Sequence, residues 1–339
     1  MSAAGAMPPS AAGAMPPSAA GAVLGVDVGG TGIKARRTDA DGTVLGETRL
    51  PTPRDDHDAT RLAGVVADLA ETALAHGPLD AVGLVTPGVV DESTGRVVLA
   101  VNLGWRDVPV RDAVRDELAR RGLRVPVAFG HDVRAGALAE TTQGAAVTGA
   151  NAPAGAGAGA GAALRRGSVA FVPVGTGLAS ALVVDGAVVP GDGWAGEIGQ
   201  VRITSGPHAG LRVEEIASAG GVARRSGSAS AHEAMLRVRS GDPAATRVWD
   251  ECVDVLADAL VWTTAVAGCH TIIVGGGLAE SGALLFDPLT SAVAERTAGL
   301  RTPAIVPARH GDAAGAIGAA LLARRAGLAS DSSRHEVSV

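Results

Sequence analysis

The chain has 339 residues, 47% of them hydrophobic, which is enough for a buried core in two lobes and excludes a largely disordered protein. Net charge is −6 with no basic run or stripe, which argues against a nucleic-acid partner. The apolar stretches are short or broken by charge and glycine, so no membrane span is expected. Two cysteines, Cys252 and Cys269, show no ligand spacing and read as reduced core residues, which fits the cytoplasm. Of 29 basic residues only one, Lys34, is lysine, so its retention is informative.

In chain order, residues 2–21 contain "SAAGAMPP" twice and then "SAAGA", without a basic start or a continuous apolar core. This is expected to be a disordered tail (1–21), not a signal peptide. "AVLGVDVGG" reads as a strand and "GIKARRTDADGTVLGETRL" as a hairpin with "DADG" at its tip. "DATRLAGVVADLAETALAHG" has helical periodicity and ends at Gly77. "DAVGLVTPG" is a strand entering a loop, "VPVRDAVRDELARRG" a helix, and "VPVAFG" a strand. That strand runs into "HDVRAGALAE", a helix that leaves Asp132 readable as cap, metal ligand or base.

Residues 144–163 are an Ala/Gly segment expected to form a flexible surface loop. "GSVAFVPVG" and "LASALVVDG" are strands joined by "GTG". Helices are expected near 242–268 and 281–298, with strand "TIIVGGG" between them. "DAAGAIGAALLARRAG" closes the ordered part, and 328–339 is expected to be a disordered tail. The pattern predicts an α/β protein of two related lobes with a cleft, because strand, glycine turn and strand occur near 22–38 and again near 168–184.

Three glycine turns carry chemistry. In "DVGGTGIK", Gly29, Gly30 and Gly32 let backbone N–H groups approach phosphate oxygens; Thr31 adds a hydroxyl and Lys34 a cation. Asp27, at the end of the strand, could orient a hydrated magnesium ion. The sequence fits neither a P-loop nor a dinucleotide fingerprint, because a strand follows rather than a helix. "VGTGLAS" repeats the logic at Gly175, Thr176 and Gly177. "IIVGGGL" ends a strand in Gly275, Gly276 and Gly277, a place suited to a nucleotide base or ribose.

Together "VDVGGTGIK", "GHDVRAGALAE", "VPVGTGLASALVVDG", "GWAGEIGQ" and "TIIVGGGL" resemble the sugar kinases of the ROK family, in order, from about residue 23 to 327. The resemblance implies the two-lobed actin/hexokinase-type ATPase fold and an ATP- and Mg²⁺-dependent kinase of a glucose-type hexose. It implies a small lobe over 22–131, with helix 311–327 packing back on it, and a large lobe over 132–310. It implies Asp132 as the base for a sugar 6-hydroxyl. Glu197 and Glu214 would hold sugar hydroxyls, Asn102 would touch the sugar, and Gly88 would bring backbone close to it. A lone Trp105 is expected to pack rather than stack on sugar. A homodimer is expected. ROK repressors carry a helix-turn-helix before the first strand; only the repeat tail stands there, so a non-catalytic sugar sensor is disfavoured. "GGTGIK" is also close to polyphosphate/ATP glucokinases, although the negative charge argues mildly against polyphosphate as donor.

Three departures stand out. Gln200 occupies the place of the family's zinc-site histidine and "VRITSGPHAGLRV" has no cysteine, so no zinc site is expected and the anomeric side of sugar recognition changes. His131 replaces the usual asparagine before the base, which suggests tuning at the sugar's 3- or 4-carbon. Arg134 replaces a small or amide residue and is expected to pair with Glu140 or phosphate. The departures point to a specialised substrate such as kanosamine (3-amino-3-deoxyglucose) or a C7-cyclitol, sugars handled in actinobacterial antibiotic pathways, with glucose as the default.

Overall fold

The computed structural model describes residues 21–144 and 166–336. The repeat tail through residue 20 and the Ala/Gly segment from 145 onward lie outside the described residues. The chain starts with β1 (Ala22–Val28), β2 (Gly32–Thr38) and β3 (Val44–Pro51), then α1 (Thr60–Ala75) and β4 (Leu79–Thr86). Strands β5 (Val89–Asp91), β6 (Arg96–Ala100) and β7 (Trp105–Val108) form an antiparallel meander not foreseen from sequence, because each has only three to five residues. Next come α2 (Val110–Arg120), β8 (Val127–His131) and α3 (Asp132–Gln143).

The first sheet has the order β3-β2-β1-β4-β8. β1 pairs antiparallel with β2 and parallel with β4, which pairs parallel with β8. Its carboxyl ends therefore bring Asp27, Thr86 and His131 to one edge, the place where open α/β sheets bind ligands. The α1 helix buries Leu62, Val66, Leu69 and Ala73 at helical spacing against this sheet. Its start has no side-chain cap of its own. Instead the Asp56 carboxylate accepts from the N–H groups of Arg61 (3.0 Å) and Leu62 (2.8 Å). The Asp56 carbonyl accepts from Trp105 Nε1 at 2.5 Å, so Trp105 packs in the core as expected.

The second half repeats the plan. β9 (Ser168–Pro173), β10 (Ala181–Val184) and β11 (Ala187–Val188) precede four helices: α4 (Val213–Ile216), α5 (Ala219–Ser226), α6 (Ala231–Arg239) and α7 (Pro243–Ala267). Then follow β12 (Thr271–Gly275), α8 (Ala283–Arg296), β13 (Ala304–Pro307) and α9 (Ala314–Glu336). The sheet order is β11-β10-β9-β12-β13. The long α7 begins where sequence signals place it: Asp242 Oδ1 accepts from the N–H groups of Ala244 and Ala245, and Pro243 takes the first helical position. Each sheet has its own core, one around Leu62, Leu84 and Trp105, the other around Leu256, Ile272 and Leu285. Cys252 and Cys269 are free and buried.

α9 returns to the first sheet, packing Ala320 and Ala323 on Val23 and Ala81, and Ala319 on Val85 and Ala135 of α3. Small residues on both surfaces let helix and sheet approach closely. The helix continues to Glu336, so the tail expected from 328 is helical over most of its length. Among the described residues no helix is long and apolar enough to cross a membrane.

Candidate active site

The first glycine turn closes tightly. Gly29 N–H donates to the Gly32 carbonyl (2.8 Å), and Thr52 ties the turn to the end of β3 through its hydroxyl, which donates to the Gly29 carbonyl (2.7 Å). Gly30 and Thr31 form the exposed tip. Asn102 lies over it, its Cβ 3.3 Å from where a Gly30 Cβ would stand. Asn102 and the phosphate-type turn are thus neighbours, although 72 residues of chain separate them.

Asp27 sits opposite Lys34 in the β1–β2 ladder and against Gly315 at the start of α9. Burial, reinforced by the charges of Asp132 and Asp312 and opposed by Lys34, pushes its carboxyl up to about 7. Lys34 Nζ donates to the Asp312 carbonyl at 2.8 Å, and Arg49 Nη1 donates to the Asp312 carboxylate at the same distance. These contacts, the Arg49 hydrogen bond first, hold the Asp312 carboxyl below its usual range. Asp312 escapes sequence reading; its only signal is a Gly-Asp pair ahead of the last helix.

His131 ends β8 and Asp132 opens α3. The cap of α3 is His131 and not Asp132: His131 Nδ1 accepts from the Arg134 N–H at 3.4 Å. Asp132 Oδ1 accepts from the Val133 N–H at 2.7 Å and lies 3.4 Å from His131 Nε2. His131 is only 5% exposed, while Asp132 is half-buried. Arg134 departs from expectation, pairing neither with Glu140 nor with the phosphate-type turns. Buried inward, Nε donates to Glu92 Oε1 (2.7 Å) and Nη2 to the Val90 carbonyl (3.1 Å). Glu92 Oε1 also accepts from the His131 N–H at 3.3 Å. The Glu140 carboxylate accepts from the backbone N–H groups of Arg309 (3.0 Å) and His310 (2.7 Å).

Glu197 reaches the same region from the second half. Its carboxyl is raised by burial first, then by the charges of Glu214 and Asp132. Glu214 lies beside the second glycine turn: an added Cβ at Gly177 would fall 2.8 Å from Glu214 Oε2. Arg212 Nη1 bridges Glu214 Oε1 (3.0 Å) and Gln200 Oε1 (3.0 Å). Residues 202–212 fold back on themselves, held by Ile203 N–H on the Leu211 carbonyl and Gly210 N–H on the Ile203 carbonyl, each at 2.8 Å. His208 lies 3.6 Å from Glu251. Arg212 is a further residue that sequence reading passes over.

The second and third turns abut. Val174 N–H donates to the Gly275 carbonyl (2.8 Å) and Leu278 N–H to the Val174 carbonyl (3.1 Å). Gly276 has φ +78°, and a Cβ there would lie 2.5 Å from the Val174 carbonyl oxygen, so only glycine lets the turns meet. The start of α5 roofs the second turn: Ala219 N–H donates to the Gly175 carbonyl at 2.8 Å, and Ser218 Oγ to the Thr176 carbonyl at 3.1 Å. Gly277 and Thr176 are exposed. Gly88 (φ +103°) lies under β6, where a Cβ would fall 2.3 Å from the Leu99 carbonyl oxygen; this close approach by itself requires glycine.

The chain is similar to known proteins along nearly all its length. The ROK family model matches residues 23–326. The glucokinase of Streptomyces coelicolor is 28% identical over 332 residues, covering 89% of this chain and 97% of its own. Among solved structures, the ROK hexokinase from Thermus thermophilus is 28% identical with a TM-score of 0.72, covering 90% of this chain and 98% of its own. A ROK family glucokinase from Streptomyces griseus, solved in complex with glucose and AMPPNP, is 24% identical with the same TM-score of 0.72, covering 90% of this chain and 100% of its own, and shares the fold. On the matched family model and the two-lobed ATPase fold it shares with these structures, the chain belongs to the ROK family.

Proposed function

We propose that the chain is an ATP- and Mg²⁺-dependent sugar kinase that phosphorylates the 6-hydroxyl of a glucose-type hexose, with Asp132 as base. The observation that carries this reading is a convergence of carboxylates from both halves of the chain: the Asp132 charge acts on both Asp27 and Glu197, and Glu214 acts on Glu197, with glycine turns alongside. Carboxylates that repel one another are costly unless hydroxyl donors or cations occupy the space among them. The glucokinase and hexokinase relatives support the same reading.

Asp132 Oδ1 is occupied by the Val133 N–H, and no described N–H or O–H reaches Oδ2. Oδ2 takes the proton of the 6-hydroxyl as its oxygen attacks the γ-phosphorus. The bond from that phosphorus to the β-phosphate oxygen breaks, and ADP leaves. Glu197 and Glu214 accept hydrogen bonds from the other sugar hydroxyls, together with Asn102. Gly29–Gly32 and Gly175–Gly177 offer N–H groups to phosphates, and Gly275–Gly277 backs the nucleoside. Asp27 suits a hydrated Mg²⁺: it is a hard oxygen donor, its carboxyl is raised first by burial and then by the Asp132 and Asp312 charges, and a cation would favour its ionised form. Bound there, Mg²⁺ would neutralise charge on the phosphates. The reading also assigns a small lobe to 22–131, a large lobe to 132–310 and a homodimer to the assembly.

The kanosamine expectation rested on His131 facing the sugar. Both ring nitrogens have protein neighbours, so glucose is the first substrate to test. A coupled ADP assay over glucose, kanosamine, mannose, N-acetyl sugars and C7-cyclitols, with ATP or polyphosphate as donor, is expected to give ADP with glucose and ATP. Coupling to glucose-6-phosphate dehydrogenase identifies the position. Asp132→Asn is expected to lower kcat by about 10²- to 10⁴-fold while glucose Kd by calorimetry changes little. An unchanged kcat would remove Asp132 as base, and ADP formation with none of the sugars would overturn the kinase reading.

A further inference from the structure

A histidine stands directly before the proposed base, and its geometry is specific. The ring is 5% exposed and sits at the last position of β8, across the ladder from Thr86. Nδ1 accepts the Arg134 N–H of the first turn of α3. An accepting Nδ1 is unprotonated, so the ring is neutral and its one proton is on Nε2. Nε2 lies 3.4 Å from Asp132 Oδ1, the oxygen that also receives the Val133 N–H.

We propose that His131 is a positioning residue for the base: by capping α3 through Nδ1 it fixes its own tautomer, and its Nε2–H then holds Asp132 Oδ1, leaving Oδ2 for the substrate hydroxyl. The inference rests on the reading of Asp132 as base, and it replaces sugar contact with base orientation as the role of His131.

Two further observations and one chemical comparison support it. The His131 backbone is itself pinned, because its N–H donates to Glu92 Oε1, and Glu92 is held by the inward-turned Arg134. With its backbone fixed and only 5% of the residue exposed, the ring has little open space on the sugar side. Burial holds the His131 imidazole below its usual range, so it stays neutral at ordinary pH; the Asp132 and Glu92 charges oppose this and Arg134 reinforces it. Asparagine is the residue that can reproduce both contacts, with Oδ1 capping and Nδ2–H donating. Aspartate can cap but cannot donate.

The test compares His131→Asn, His131→Asp and His131→Ala. His131→Asp is expected to lose about 10- to 100-fold in kcat through misplacement of the base, and to lower the melting temperature because its carboxylate stands beside Asp132 and Glu92. His131→Asn is expected to restore most of that kcat. His131→Ala is expected to lose both kcat and melting temperature, with the KM for glucose little changed in all three. Wild-type kcat in His131→Asp would overturn the proposal. So would a raised glucose KM at unchanged kcat in His131→Ala, which marks a sugar contact. Independently of turnover, ¹⁵N NMR of the imidazole reads the tautomer: Nε2–H is expected, and Nδ1–H overturns the proposal even if no sugar is phosphorylated. Failure of the kinase reading is seen separately, as wild-type protein that forms no ADP with any sugar.

Discussion

The two strand–turn–strand units look alike in sequence and differ in chemistry. "VDVGGTGIK" joins β1 to β2, and "FVPVGTGLAS" joins β9 to β10. Both close a turn through glycine-flanked backbone: Gly29 N–H on the Gly32 carbonyl in one, Gly175 N–H on the Gly177 carbonyl in the other. The position two residues before the first glycine is Asp27 in the first and Pro173 in the second. Around the first turn stand Asp27, Lys34, Arg49 and Asp312. The second is closed over by α5, and the nearby acid comes from Glu214 of α4. Glycine spacing shapes a turn; the flanking residues decide whether it handles charge.

Substitution at the two matched positions tests this contrast most strongly. Asp27→Asn is expected to lower kcat by about 100-fold, and Pro173→Ala by no more than a few fold; similar losses would erase the difference between the turns. The same aspartate has a pH signature in metal-free buffer. Its folded carboxyl, at about 7, lies above the unfolded value of 3.8, so the native state binds the extra proton between those values and stability falls as pH rises through that window. Asp27→Asn should therefore melt several degrees above the wild type at pH 8 and lose that advantage near pH 3. Equal melting temperatures at pH 8 would mean that the carboxyl is not raised.

A smaller effect is expected at the roof of the second turn. Ser218 Oγ accepts from the Gly221 N–H at 2.9 Å as the cap of α5. Ser218→Ala is expected to cost about 1 kcal/mol in urea unfolding, with a modest rise in the KM for ATP. An unchanged KM would leave the roof with a purely structural part. The smallest effect belongs to Arg49, whose pairing with Asp312 is more than half exposed on both sides. Arg49→Ala is expected to lower the urea midpoint only slightly at low salt, and by less still in high salt. A larger, salt-resistant loss would show that the charged cluster is more structural than its exposure suggests.

Most regular elements were legible because their signals are local. Asp242 and Pro243 announce α7, and alternation with "DADG" announces the first hairpin. The meander β5–β7 was not legible, since strands of three to five residues carry too little pattern. Residue identity at 131, 132 and 134 was plain, but partners were not. Arg134 could be read as free to reach Glu140, yet it turns inward to Glu92, a residue of the unforeseen meander. Asp312 and Arg212 were missed for the same reason: each acts on residues brought near by folding, Lys34 and Glu214 among them.

By itself the sequence determined the order of strands and helices, the three glycine turns and the family resemblance, because periodicity, caps and turns depend on neighbours a few residues away. Only the tertiary structure decided which charges meet. The coupling of Asp27 with Asp132 and Asp312, and the choice of His131 rather than Asp132 as cap, depend on how the ends of β1, β8 and the last helix converge. Electrostatic coupling and hydrogen bonding fall off over a few ångströms in space, and no local pattern along the chain records that distance.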